Sequence, residues 1–106
     1  MGEIPLQSIS GGTDILGCFL LGNPNLPVVA GELQCMSLGL DVDVVPIEPP
    51  AEVRGRSPLG YGELVCKSPF PSRPLGLLHD PEGRRFHAAY FAQHEGLWSH
   101  GDWLEL

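Results

Sequence analysis

Glycine and proline supply 25 of the 106 residues, 14 and 11 respectively, spread between short apolar segments and not gathered in one tract. Proline removes a backbone donor and clashes inside a helix, and glycine weakens helix and strand interiors alike. A chain broken this often has little room for long helices and is predicted to form many short strands joined by turns. Residues 4–9 (IPLQSI), 28–36 (VVAGELQCM) and 61–67 (YGELVCK) fit strands. Residues 39–47 (GLDVDVVPI) fit best, placing Leu40, Val42 and Val44 on one face and Asp41, Asp43 and Val45 on the other. Residues 14–21 (DILGCFLL) fit either a short helical turn or a buried strand. The tail, LWSHGDWLEL, holds two alternating apolar stretches around Gly101.

Residues 46–60 and the run SPFPSRPLG are proline loops, and HDPEGRR is a turn. One helix is predicted, over 84–93, with Phe86, Ala89 and Tyr90 at helical spacing and Gly96 as its stop. The aromatic residues Phe86, Tyr90 and Phe91 are expected in a core and not as a stacking platform. The fold class implied is mainly β: a small antiparallel barrel or sandwich with one short helix, forming a single unit over residues 1–106.

Charge excludes some functions. Six basic residues stand against 13 acidic ones, a formal net charge of −7, which is the wrong balance for nucleic acid. Charged residues make up 18 % of the chain, below the usual quarter, so part of the surface is expected to be covered by other polypeptide. No apolar run approaches the length that crosses a bilayer. Cys18, Cys35 and Cys66 are odd in number and lack metal-ligand spacing, which suits free thiols in the cytoplasm. His79, His87, His94 and His100 show no zinc-ligand pattern, and no nucleophile elbow is present.

Two short motifs carry chemistry. Ser10-Gly11-Gly12-Thr13-Asp14 is either a turn with an aspartate cap or a loop whose backbone approaches an anion. In the second case Thr13 donates to phosphate and Asp14 holds Mg²⁺, directly or through water. Trp98-Ser99-His100-Gly101-Asp102 is either an ordinary turn in a ladder or a strand end whose carboxylate accepts hydrogen bonds from a ribose diol.

Taken together, SGGTDI, LGNPNLPVVAGELQ, GELVCKSPFPS, HAAYF and LWSHGDW resemble, in order, one long stretch of the acyl-CoA synthetases of the adenylate-forming (AMP-binding) superfamily. The resemblance runs from Ile4 to Leu106. It implies the distorted antiparallel β-barrel subdomain that ends the family's large N-terminal domain. It implies ATP or AMP and Mg²⁺ as ligands of the family, with Gly11 and Gly12 along the adenine, Thr13 on the phosphate, Asp14 on the metal and Asp102 on the ribose hydroxyls. Ser10 stands where many relatives carry an aromatic that stacks on adenine. Gly62-Glu63-Leu64 matches a family strand with a structural role.

The family's Ser/Thr/Gly-rich phosphate loop and its catalytic lysine have no counterpart in these 106 residues, whose one lysine, Lys67, matches neither. Adenylation needs cations and donors placed at the phosphates beforehand. The chain by itself is therefore expected to be an inactive ligase segment that binds no cofactor in isolation. It is expected to pair with the remainder of such an enzyme or with its own copies. The alternatives are a stand-alone interaction or oligomerisation module and a weak adenine-nucleotide binder.

Overall fold

The structure is a computed structural model that describes residues 4–56 and 60–106, so the expected 46–60 loop falls partly outside it. The described residues cluster into two compact units. The first comprises residues up to 40 together with 69–74; the second comprises 41–68 and 75–106.

The first unit contains a three-stranded antiparallel sheet of β1 (Ser10–Gly12), β2 (Gly17–Leu21) and β3 (Cys35–Met36), in that order. A 3-10 turn, Thr13–Ile15, joins β1 to β2, and Leu16 follows in the left-handed region at φ 48°. Its core is Ile15, Phe19, Leu20 and Phe70, with Phe19 and Phe70 edge-on at 6.4 Å. The predicted strand over 4–9 is absent: the segment is exposed and ladder pairing begins at Ser10. The predicted strand over 28–36 shrinks to Cys35–Met36. One side chain accounts for this. The Gln34 amide accepts from the Asn23 N–H at 2.9 Å and donates to the carbonyls of Asn23, Leu26 and Pro27 at 3.0–3.1 Å. It ties 23–34 into a loop and takes up carbonyls that a ladder would use.

The second unit contains a sheet of β4 (Val42–Pro46), β5 (Tyr61–Cys66) and β6 (Trp98–Glu105), antiparallel throughout with β5 central. Central placement explains why Gly62 to Cys66 are all buried, on both faces. Gly62 permits the approach of β4: a Cβ there would lie 2.5 Å from both Val44 Cγ1 and Val45 O. The alternation read for 39–47 is met by β4, with Val42 buried and Asp43 exposed. Lys67, just past β5, reaches Asp43 at 3.1 Å and Asp41 at 3.6 Å, which gives the chain's lysine a structural position.

The helix α1 spans Arg84–Tyr90, three residues shorter than predicted. It ends early because Gln93 and His94 turn inward, as described below. Asp80 Oδ2 accepts the Phe86 N–H at 2.8 Å and so caps the first turn from outside the helix. That bond holds the Asp80 carboxyl below its ordinary pKa. A depressed folded-state pKa stabilises above the unfolded value and is lost as pH falls through the folded one. The melting-temperature gap between wild type and Asp80→Ala is therefore expected to be present at about pH 6 and to shrink as pH falls below about 4.

The tail forms one continuous strand with a bulge at Gly101, and not two separate stretches. The mainly β class with one short helix holds. The closed barrel does not: ladder pairing among the described residues makes two separate three-stranded sheets. With three and two residues, β1 and β3 are too short to carry a ladder around a barrel.

Candidate functional site

The first motif divides between a strand and a turn. Gly11 and Gly12 lie in β1, neither with positive φ, while Thr13 and Asp14 begin the 3-10 turn and are exposed. The left-handed conformation falls on Leu16, an exposed side chain at the hairpin tip. Gly11 answers a steric demand within the sheet. A Cβ on it would lie 2.3 Å from Gly17 O and 2.6 Å from Cys18 Cα on β2. The β1–β2 register also breaks here, because Ser10 pairs with Leu20 and Gly11 with Cys18, leaving Phe19 as the extra residue. Two bare glycines and an irregular ladder thus lead into the exposed Thr13 and Asp14 at a loop tip.

The second motif lies entirely in β6. Val65 pairs with Ser99 and Glu63 with Trp103, so Leu64 alone faces His100, Gly101 and Asp102. Two extra residues are accommodated in one bulge, and Gly101 makes it possible at φ 88°, where side chains are strained. Asp102 is half-buried at the end of this bulge. Before it, Trp98 is 2 % exposed, stacked on Tyr90 at 3.9 Å and edge-on to Phe86 at 6.0 Å and Phe91 at 5.8 Å. Of the aromatic residues of the helix region Phe86 is core, as expected, while Tyr90 and Phe91 are half-buried against Trp98, and together they fix where β6 begins.

Of the candidate residues, the structure brings Gly11, Gly12, Thr13 and Asp14 together in the first unit and places Asp102 in the second. Among the described residues no three His, Cys, Asp or Glu side chains converge on one point. No helix is long and apolar enough to cross a membrane among them, and Cys18, Cys35 and Cys66 are free thiols.

One arrangement was not legible in the motifs. Glu63 is 3 % exposed, yet its carboxylate is well bonded. His94 Nε2 lies 2.9 Å from Oε2, and with its amide nitrogen turned inward Gln93 donates to both oxygens at 2.9 Å. A carboxylate accepts only, so the His94 Nε2–H donates. The signal available in sequence was a glutamate inside an otherwise apolar strand, which calls for a partner.

No protein-family model matches the chain. Individual relatives do. It is 50 % identical over 103 residues to the acetoacetyl-coenzyme A synthetase of Rhizobium meliloti (strain 1021), covering 97 % of this chain and 15 % of that protein. It is 42 % identical over 101 residues to the Caenorhabditis elegans acetoacetyl-CoA synthetase, covering 95 % of this chain and 14 % of the other. Among solved structures, an acetoacetyl-CoA synthetase from Streptomyces lividans superposes with a TM-score of 0.74 at 40 % identity, over 94 % of this chain and 15 % of that one. The chain thus spans about 15 % of the length of the relatives it matches. By sequence over nearly its whole length, and by fold, the chain matches one segment of the acetoacetyl-CoA synthetases.

Proposed function

We propose that this segment supplies the ribose and metal grips of an ATP-dependent acetoacetate–CoA ligase, and that the 106 residues alone do not turn over. The observation that carries the reading is the two-residue bulge in β6, which interrupts a regular strand to set Asp102 at a glycine with φ 88°. Such irregularities lie often beside active sites. The Asp102 carboxylate would accept from the two ribose hydroxyls. Gly11 and Gly12 would let nucleotide pass close to β1, and Thr13 would donate to phosphate.

Magnesium takes one or two carboxylates and fills its remaining positions with water and substrate phosphates. The single exposed carboxylate of Asp14 fits that need, and Mg²⁺ bound there would neutralise phosphate charge. Such a ligase works where ATP is supplied, so we place it in the cytoplasm.

The exposed Ile4, Leu6, Leu16 and Leu38 of the first unit and Leu75 and Leu78 of the second favour association with further polypeptide. We read that polypeptide as the remainder of such an enzyme. A second copy of this chain is the alternative occupant.

The test is a graft. These 106 residues replace the matched stretch of the Streptomyces lividans enzyme, and pyrophosphate release is followed with acetoacetate, ATP and CoA. The graft is expected to turn over and the isolated chain to read zero. Asp102→Ala in the graft is expected to raise KM for ATP by about ten- to a hundredfold, the worth of charge-assisted hydrogen bonds to one diol. An unchanged KM would refute the assignment of Asp102.

A further inference from the structure

We infer that Glu63 and His94 are positioning residues that pin the register of β6 and so hold Asp102 in its bulge; the consequence for nucleotide rests on the ribose reading above. The need for a pin follows from strand geometry. A one-residue slip turns every side chain to the wrong face, and the apolar pattern forbids it. A two-residue slip keeps every face. The β6 bulge contains just two extra residues. Sliding one half of the strand by two positions, about 7 Å, would absorb the bulge and restore a regular ladder without exposing a single core face. Hydrophobic patterning therefore leaves this bulge unprotected.

Glu63 stands where protection is required. It pairs with Trp103, the residue that closes the bulge on the Asp102 side. Its carboxylate reaches the other way, to Gln93 and His94, five and four residues before β6 begins. The Leu97 N–H then bonds the His94 carbonyl at 3.2 Å, which carries the tie to the residue just before the strand. The bulge is thus bracketed: one residue of β5 holds the approach to β6 by its side chain and the far end of the bulge by its backbone. A slip would break that bracket and leave a carboxylate buried without partners, at a cost far above that of keeping the bulge. Trp98, stacked on Tyr90, secures the same entry by packing.

Cross-strand Hα–Hα NOEs in the isolated chain read the register directly. Wild type and Glu63→Gln, which keeps an acceptor for His94, are expected to show Ser99 opposite Val65 and Trp103 opposite residue 63. Glu63→Leu, of similar size with no acceptor, is expected to lose one of these pairings by a two-residue shift. His94→Ala cuts the tie at its more exposed end and serves if Glu63→Leu does not fold. In the graft, Glu63→Leu is expected to raise KM for ATP about tenfold with kcat nearly kept, and Glu63→Gln to stay within about twofold, since small displacements of binding groups are costly. An unshifted register in both Glu63→Leu and His94→Ala would overturn the inference, whatever Asp102 does. A shifted register together with a silent Asp102→Ala would support the pin and refute the ribose reading alone.

Discussion

Trp98→Ala is expected to lower the stability of the second unit by about 4 kcal/mol, as read from the urea midpoint, and to erase most of the helical signal with it. The indole is 2 % exposed and touches three aromatic rings from α1 and its C-terminal end. Burying a tryptophan removes roughly 150–250 Å² from water, worth about 4–6 kcal/mol at about 25 cal/mol per Å². Besides this packing the helix has the Asp80 cap on its first turn. α1 has seven residues, below the length at which helices persist in water, and its N-cap residue Gly83 offers no side-chain acceptor. Its buried side chain is Phe86, whose ring meets those of Tyr90, Phe91 and Trp98. Truncating Trp98 therefore removes the surface on which the helix folds. A loss of this size rivals the whole stability of a small domain. Trp98→Phe keeps an aromatic ring there and should retain the helical signal at a smaller cost. A Trp98→Ala chain with its helical signal intact would show that α1 is held by other means.

What was legible in the sequence follows from how local each feature is. The alternation of Leu40, Val42 and Val44 and the run YGELVC needed only period-two reading, and β4 and β5 lie there. Phe86 and Tyr90 at helical spacing located α1, since that pattern is also local. Errors gathered where a distant side chain decides. Gln34 converts an apolar, β-branched stretch into a loop by bonding carbonyls seven to eleven residues away. Glu63 ends the helical region early by drawing in Gln93 and His94 from thirty and thirty-one residues away. Propensity is silent about both. The candidate site was legible as motifs but not as geometry. Gly101 could be named as a residue for an unusual backbone, whereas a bulge of two residues opposite Leu64 depends on pairing with β5. Strand number suggests a barrel, but the predicted strand over 4–9 does not form, that over 28–36 keeps two residues, and ladder pairing divides the strands into two sheets.

Gly11→Ala separates the two explanations of the double glycine. If Gly11 were there only to admit a nucleotide, an added methyl would leave the free chain as stable as before, because its backbone is outside the positive-φ region that alanine avoids. The structure gives the opposite expectation. The new Cβ would sit 2.3 Å from Gly17 O, 2.6 Å from Cys18 Cα and 3.0 Å from Gly17 C. All three are backbone atoms of β2, so no rotamer relieves the clash. Either β1 moves away from β2 and the Ser10–Leu20 and Gly12–Gly17 pairings stretch, or β2 shifts and disturbs buried Phe19 and Leu20. Overpacking of this kind costs about 3 kcal/mol when backbone must yield. The loss is expected without nucleotide, and hydrogen exchange should quicken at the β1 and β2 amides before it does at β5. Gly12→Ala is the control, because Gly12 is extended at φ −171° and ψ 166°, a backbone open to any residue. A Gly11→Ala chain as stable as wild type would mean that the close approach of β1 to β2 is relaxed in solution, and the glycine pair would then be left to the ligand.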